Sequence, residues 1–275
     1  MVSSEYEMKP EDNLEMLEND LSSVSITDNL GTSLIGRKVI YYPRLASTMA
    51  VARREAQRGA AEGTVIIAGE QTAGKGRMRR TWLSPGGNIA LSIILYPGVS
   101  SLPYLIMLAS LAAVHSIEAV TDLKPQIKWP NDILINEKKV CGILTEGLVR
   151  KDRVIYATVG IGINVSLRAA DFPEVSATAT SLNDESGRSV SCVEVVRHLL
   201  VEIERLYLNL ANGESIYEAW RDRLVTLGKR VYVESGSNRL EGMAESVDRS
   251  GALQLRQADG SLTRIIAGDV TLRDK

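Results

Sequence analysis

Apolar and polar positions along the chain form short strand-like and helix-like patterns that alternate. Runs of β-branched and apolar residues predict strands at residues 38–42, 64–68, 88–95, 126–129, 133–135, 140–148 and 154–165. Helical spacing predicts helices at residues 47–59, 102–120, 192–211 and 215–223, and residues 166–190 are expected to form a polar loop. This order is typical of an α/β or α+β fold.

The two ends of the chain differ from this central pattern. Residues 1–35 are polar and acidic, with only a weak helical pattern, and are expected to form a flexible leader. After Leu227 the apolar residues fall into short β-type runs separated by glycine-containing turns, which predicts a small barrel. The expected organisation is therefore a leader at 1–35, a main domain at 36–226 and a small domain at 227–275.

Composition and charge narrow the classes of function. The 275 residues are 44% hydrophobic and 24% charged, as in folded soluble proteins. The formal net charge is −2, but the first 20 residues carry seven acids and one lysine, which leaves a charge of +4 on the remainder. A mildly basic body permits anionic ligands such as nucleotides, but it falls short of the strongly basic surface of a duplex-DNA binder.

Other features argue against a membrane protein, a secreted protein and a zinc enzyme. The longest strongly apolar stretch, Tyr104–Val114, is far shorter than the roughly 20 residues that cross a bilayer. The N-terminus has no apolar signal-peptide core, so a cytoplasmic location is expected. Cys141 and Cys192 are the only cysteines, and His115 and His198 the only histidines, which nearly excludes a Cys/His metal site and histidine catalysis.

A glycine-rich and basic stretch, Glu70–Trp82, lies between two predicted strands. It carries four cations, at Lys75, Arg77, Arg79 and Arg80. Main-chain N–H groups at glycines and the forked donors of arginine could converge on a carboxylate or phosphate. The alternative is a solvated basic loop, and the stretch matches neither the Walker loop nor the dinucleotide-binding motif.

A second stretch, KWPNDILINEKKVCGILTE at Lys128–Glu146, joins a strand to a hairpin. Asn131 and Asp132 stand at a strand boundary, where they could simply cap the turn. Lys139 could be an ordinary edge-strand lysine or could meet an acyl or phosphoryl anion. The residues alone leave these alternatives open.

Smaller signals occur at three further places. Gly160 and Gly162 interrupt a buried-looking strand, which indicates either a bulge or a ligand lying over the strand. Ser47 and Thr48 precede a helix and would ordinarily cap it. Cys141 is expected to be a small core residue.

Together these segments resemble the biotin–protein ligases from about Gly36 to Arg273. The similarity rests on Ser47–Thr48, the glycine/arginine loop ending in Trp82, KWPND followed by KVCGIL, GIGIN at Gly160–Asn164, and the C-terminal strings GAL and AGDVTLR. The resemblance implies an α+β fold: a central mixed sheet related to class II aminoacyl-tRNA synthetases, followed by a small SH3-like β-barrel.

The resemblance also implies a reaction in two steps. Biotin and MgATP would give biotinyl-5′-AMP, and a specific lysine of a biotin carrier protein, such as the carrier subunit of acetyl-CoA carboxylase, would then attack this mixed anhydride. The cofactors and substrates implied are biotin, ATP and Mg²⁺, and the enzyme would be a biotin–[biotin carrier protein] ligase. Adenylation supplies the good leaving group that a carboxylate lacks, and a cationic site can neutralise charge on the phosphates.

The same resemblance assigns roles to residues. It implies that Lys139, Arg77 and Asp132 are catalytic, with Lys139 on the reacting oxygens, Arg77 along the adenylate phosphate and Asp132 near the metal-bound phosphates. The binding residues implied are Ser47, Thr48 and Gln71 for the biotin head group, Gly142, Gly160 and Gly162 for room around the ring system, and Gly74, Lys75, Gly76, Arg80, Trp82, Asn131 and Asn164 elsewhere in the matched motifs. No metal ligands are assigned.

Three positions depart from the pattern of the family. Lys75 stands where arginine is commoner, Met49 where asparagine is usual, and Met78–Arg79 where the loop typically reads Arg-Gly or Leu-Gly. A left-handed backbone is costly for arginine, so Arg79 calls the usual loop geometry into question. Activity is expected to survive, with altered retention of the intermediate.

Two other functions compete with this interpretation. A lipoate or octanoate transferase would share the fold, although KWPND, KVCGIL and the C-terminal barrel favour biotin. A DNA-binding regulator would need an N-terminal helix-turn-helix, for which about 35 acidic residues leave no room and offer the wrong charge. The expectation is a monofunctional ligase without operator-DNA binding, and a homodimer through a sheet edge is compatible with it.

Overall fold

A seven-stranded mixed sheet forms the centre of the computed structural model, which describes residues 21–210, 213–235 and 238–272. Its strands are β1 (Val39–Leu45), β2 (Val65–Gln71), β3 (Ile89–Leu95), β4 (Gln126–Lys128), β5 (Asp132–Ile135), β6 (Lys138–Arg150) and β7 (Arg153–Ile163). They lie in the order β1-β2-β3-β7-β6-β5-β4, with β1 and β2 parallel and the other pairs antiparallel. The predicted α+β class and mixed sheet are confirmed.

Helices cover both faces of this sheet. They are α1 (Ser23–Thr27), α2 (Thr48–Gln57), α3 (Tyr104–Val120), α4 (Leu182–Ser186), α5 (Cys192–Leu208) and α6 (Gly213–Asp222). The short helix α4 lies inside the predicted polar loop. Ser181 caps it by accepting a hydrogen bond from the backbone N–H of Asp184. Among the described residues, no helix combines the length and apolar character that a membrane span needs.

Side chains alternate across the sheet and divide the core into two parts. Val65 and Ile67 of β2 belong to the larger cluster with α3 and α5, whereas Ile66 packs with Ala52 and Ala56 of α2 on the other face. The face under α2 is the one that carries the functional site.

Part of the α2 face carries almost no side chains. Ala90, Gly162 and Gly142 are direct neighbours on β3, β7 and β6. Ser92 of β3 pairs with Gly160 of β7, two residues further along these two strands. We call these five residues the bare floor. Pairing runs through both glycines without a register shift, so of the two alternatives left open for Gly160 and Gly162 the bulge is excluded.

A five-stranded antiparallel sheet follows after Leu227, as predicted. Its strands are β8 (Arg230–Ser235), β9 (Asn238–Val247), β10 (Leu253–Arg256), β11 (Leu262–Ile265) and β12 (Asp269–Leu272), in the order β11-β10-β9-β8-β12. It is docked on the main sheet: Trp129 donates its indole N–H to Gly251 O at 2.8 Å, and Tyr217 donates its hydroxyl to Val247 O at 2.7 Å.

The expectation of a flexible leader is wrong for residues 21–35. Helix α1 packs against α5, with Ile26 and Ile35 fully buried in the main core. The sparse apolar residues of this segment find partners far along the chain, which a local composition argument does not see. The remainder of the predicted leader, residues 1–20, lies outside the described residues.

One carboxylate fastens this N-terminal segment to α5. Glu204 accepts the backbone N–H groups of Ser33, Leu34 and Ile35 at 2.8, 2.7 and 2.8 Å. Burial opposes the charge of Glu204, but the N–H donors outweigh it and hold its pKa below the usual value.

Glu204→Gln should therefore destabilise the protein by about 1.5–3 kcal/mol at pH 7, the range for a hydrogen bond to a charged group. Because folding lowers the pKa of Glu204, its contribution is present above the unfolded pKa of about 4.3 and is lost as the pH falls through the folded value. Urea unfolding at pH 7 and at pH 3.5 would measure this. Glu194→Gln, an exposed change on the same helix, is the control; equal effects of the two variants at pH 7 would contradict the assignment.

Candidate active site

A cavity of about 110 Å³ opens over the bare floor, beneath α2 and the glycine/arginine loop. Of the residues singled out in the sequence, it is lined by Ser47, Thr48, Gln71, Lys75, Gly76, Arg77, Arg80, Trp82, Asn131, Asp132, Lys139, Gly142, Gly160 and Gly162. Two do not line it. Gly74 supports the loop, where a Cβ would collide with the carbonyl oxygen of Trp82, and Asn164 lines an adjoining cavity.

The N-terminus of α2 is held by the side chain of Gln71, the last residue of β2. Gln71 Oε1 accepts from the backbone N–H of Thr48 at 2.8 Å and from the Thr48 hydroxyl at 3.1 Å. Ser92 donates its hydroxyl to Thr48 Oγ1 at 2.8 Å. Thr48 and Gln71 thus fix the start of the helix against the floor.

Ser47 does not cap the helix as its position suggested. Its side chain makes no capping hydrogen bond, and its buried Oγ has no partner among the described residues although Ser47 lines the cavity. A buried hydroxyl without a partner costs about 1–3 kcal/mol, so this one is placed to meet a ligand.

The glycine/arginine loop crosses from the main sheet to the C-terminal sheet. Arg77 Nη1 donates to Asn131 Oδ1 at 3.0 Å and to Gly268 O at 3.3 Å, and Arg80 forms an ion pair with Asp269. Burial lowers the pKa of Arg77, against the opposing carboxylates of Asp269 and Asp132.

The backbone of this loop is left-handed at two consecutive non-glycine residues. Met78 has φ = 51° and Arg79 has φ = 63°. The geometry that a glycine would adopt without penalty is therefore adopted here by methionine and arginine, at a cost of roughly 1–2 kcal/mol per residue.

Charged groups meet at the far end of the cavity. Lys139 Nζ lies 2.6 Å from Asp132 Oδ1 and 5.4 Å from the centre of the Trp82 ring. Asn131 is buried, and its amide nitrogen donates to Ile143 O at 2.8 Å while its oxygen accepts from Arg77. Asn131 and Asp132 are thus not mere turn caps, because both side chains hold cations of the site.

Sequence reasoning assigned no role to two other charged residues here. Asp269 lines the cavity, and Lys128 lines the adjoining one beside Asp132, its neighbour across β4 and β5. Burial lowers the pKa of Lys128 despite the nearby carboxylate of Asp132. Both belong to strings already noted, KWPND and AGDVTLR, but their approach to the site depends on sheet pairing and on docking of the C-terminal sheet.

Two side chains, those of Trp82 and Met49, occupy the space above the glycines. A Cβ on Gly162 would overlap the Trp82 indole, and a Cβ on Gly160 would lie 2.7 Å from Met49 Sδ. These two side chains lie directly on the glycines of the bare floor. Cys141, by contrast, is fully buried beside it, and burial raises the pKa of its thiol, consistent with an inert core residue.

Two family profiles match this chain. Residues 41–164 match the Biotin/lipoate A/B protein ligase family, and residues 226–273 match the Biotin protein ligase C terminal domain. A 38% identity to the bifunctional ligase/repressor BirA of Bacillus spizizenii extends over 258 residues, 92% of this chain and 79% of that protein. The chain belongs to the biotin protein ligase family.

Two other members of the family are similar to this chain over most of its length. The biotin–[acetyl-CoA-carboxylase] ligase of Mycobacterium tuberculosis is 33% identical over 261 residues, 91% of this chain and 95% of that protein. The biotin protein ligase of Aquifex aeolicus, solved in complex with biotin and ATP, superposes with a TM-score of 0.71 at 29% identity and covers 87% of this chain and 100% of that one. The predicted family is confirmed.

Arg79→Gly should make closure of the ligase loop more favourable by about 1 kcal/mol, because glycine adopts the left-handed backbone without a Cβ penalty. We expect release of the activated intermediate to slow by about fivefold. Labelling of serum albumin by released biotinyl-AMP would measure this, with Arg79→Ala as the control that removes the charge but keeps the strain. Equal slowing in both variants would assign the effect to charge.

Proposed function

We propose that this ligase attaches biotin to a lysine of a biotin carrier protein, such as the carrier subunit of acetyl-CoA carboxylase, through biotinyl-5′-AMP. One observation carries the proposal: a single cavity joins the unpartnered hydroxyl of Ser47, a floor of glycines and the cations of Lys139 and Arg77. The likeness to named biotin ligases supports the same reaction.

Biotin would enter with its fused rings at the α2 end of the cavity. Ser47 Oγ would gain there the hydrogen bond that it lacks, next to Thr48 and Gln71. The valerate chain would then run over Gly162 towards Lys139. The Trp82 indole would shift to admit the ligand, since it is held by packing rather than by a backbone constraint.

Lys139 and Arg77 would act in the first step. The biotin carboxylate attacks the α-phosphorus of ATP, an O–P bond forms, and pyrophosphate leaves with the bonding electrons. Negative charge accumulates on the phosphoryl oxygens, where a buried cation is worth far more than in water. Lys139 would release Asp132 and turn to these oxygens, while Asn131 keeps the guanidinium of Arg77 in place.

In the second step the neutral amine of the carrier lysine attacks the carbonyl carbon of biotinyl-AMP. An amide bond forms, AMP leaves, and the amine loses a proton. Lys139 lies where it can stabilise the oxyanion and the departing phosphate. The adenosine part of ATP would occupy the adjoining cavity, next to Lys128 and Asn164.

The site residues fit a magnesium ion that arrives with ATP. Asp132 and Asp269 both line the cavity, and Mg²⁺ is commonly held by one or two carboxylates together with substrate phosphates. Among the described residues, no group of three or more His, Cys, Asp or Glu side chains could hold a metal by itself. When bound, Mg²⁺ would neutralise phosphate charge.

We also propose a homodimer and no operator-DNA binding for this chain in the cytoplasm. Support for a dimer comes from the edge of β6 that faces away from β7. On this edge β6 pairs with β5 only up to Gly142, and Leu144–Arg150 has no strand partner there among the described residues. Support for weak DNA affinity comes from the net charge of −6 on residues 1–20.

Lys139→Ala should keep the fold and reduce formation of biotinyl-AMP by roughly 10²–10³-fold, by analogy with loss of one oxyanion donor. Lys138→Ala, an exposed lysine on the same strand, is the control and should retain activity. The measurement is the single-turnover rate with saturating biotin and ATP. A near-normal rate in the Lys139 variant would exclude its proposed role.

Arg77→Gly should release biotinyl-AMP more readily than it weakens biotin binding, because it removes the contacts to Asn131 and Gly268 that hold the loop over the cavity. Lys75 and Arg80 limit the size of the effect. The assay compares biotin incorporation into serum albumin with that into the apo carrier, with Arg79→Ala as a control for charge removal. Unchanged albumin labelling with full carrier labelling would show that Arg77 does not retain the intermediate.

A further inference from the structure

The first residue of α2 that points across the bare floor is Met49. Its side chain is 5% exposed, and it lines the cavity. A Cβ built on Gly160 would lie 2.7 Å from its Sδ and 3.0 Å from its Cγ. The thioether therefore lies flat on the backbone of β7, in van der Waals contact with the glycine.

Met49 follows Thr48 and Ser47, and Ser47 carries a buried polar atom that has no partner in the described part of the chain. Ser47 Oγ lacks a protein partner, whereas Thr48 Oγ1 is already engaged by Gln71 and Ser92. A ring system bound here meets a hydroxyl on one side and an apolar thioether on the other. The complementary ligand has one hydrogen-bonding edge and one apolar edge.

We propose that Met49 is a specificity-determining residue, whose thioether contacts the sulfide-bearing ring of the substrate acid and limits its size and polarity. This inference rests on the proposed function, since it assigns the α2 end of the cavity to the biotin rings. A urea ring facing Ser47 and a thioether ring facing Met49 satisfy the two edges together. Methionine suits this place because its flexible, polarizable side chain adapts to a soft apolar partner.

Met49 and Gly160 constrain each other. Because the thioether rests on the glycine, any side chain at position 160 would displace it into the space of the rings. Gly160→Ala should therefore impair use of biotin, and Met49→Ala in the same molecule should restore part of the loss. Such recovery is a coupling that two independent structural defects would not produce.

The test compares biotin with biotin sulfone, in which the ring sulfur carries two oxygens. The rate of biotinyl-AMP formation, as kcat/KM for each acid, is measured with the full chain carrying Met49, Met49→Leu or Met49→Ala. Met49→Ala should lower kcat/KM for biotin by roughly tenfold or more and leave the sulfone unchanged or improved, since losing one apolar contact is worth about 10–200-fold in discrimination. Met49→Leu should retain the preference for biotin.

Met107→Ala is the matched control. Met107 is fully buried in α3 on the opposite side of the sheet, so its truncation should destabilise the fold without changing the ratio of the two acids. A ratio unchanged in Met49→Ala, or changed equally in Met107→Ala, would overturn the proposal while leaving the ligase function intact. Failure of the unaltered protein to adenylate biotin would instead overturn the proposed function.

Discussion

The site depends on a steric condition: on the face under α2, one patch of three neighbouring strands carries only glycines, Ala90 and Ser92. Gly142 and Gly162 lie side by side in register, and Gly160 pairs with Ser92. Only this bare floor lets the Trp82 indole and the Met49 thioether lie directly on the backbone. Each added Cβ would collide with Trp82 or Met49, so the glycines are required by the side chains that lie above the sheet and not by turns or bulges within it.

Local pattern was sufficient for the strands and long helices, because their periodicity reflects which face each residue buries. It failed where a partner is distant in sequence. The sequence suggested that Ser47 or Thr48 caps α2, but Gln71 of β2 supplies the capping oxygen. Residues 21–35 looked flexible because their anchor, Glu204, lies some 170 residues away. Asp269 reaches the cavity only after the C-terminal sheet docks.

The arrangement of charges explains how a mildly basic chain can handle a polyanion. The main cavity is lined by four cations, Lys75, Arg77, Arg80 and Lys139, and by two carboxylates, Asp132 and Asp269. This leaves an excess of two positive charges, and burial already opposes the charged forms of Arg77 and Lys128. An arriving triphosphate would supply negative charge to this excess and would replace the ion pairs of Arg80 with Asp269 and of Lys139 with Asp132 by ligand contacts.

Retention of the intermediate then follows from a balance within one loop. Contacts of Arg77 and Arg80 with the C-terminal sheet favour closure, whereas the left-handed backbone at Met78 and Arg79 opposes it by a few kcal/mol at most. A loop held by strong contacts alone would trap the adenylate away from the carrier, and a strained loop without them would release it to water. Substitutions at Met78 and Arg79, which do not line the cavity, should therefore change the lifetime of the adenylate more than the rate at which it forms.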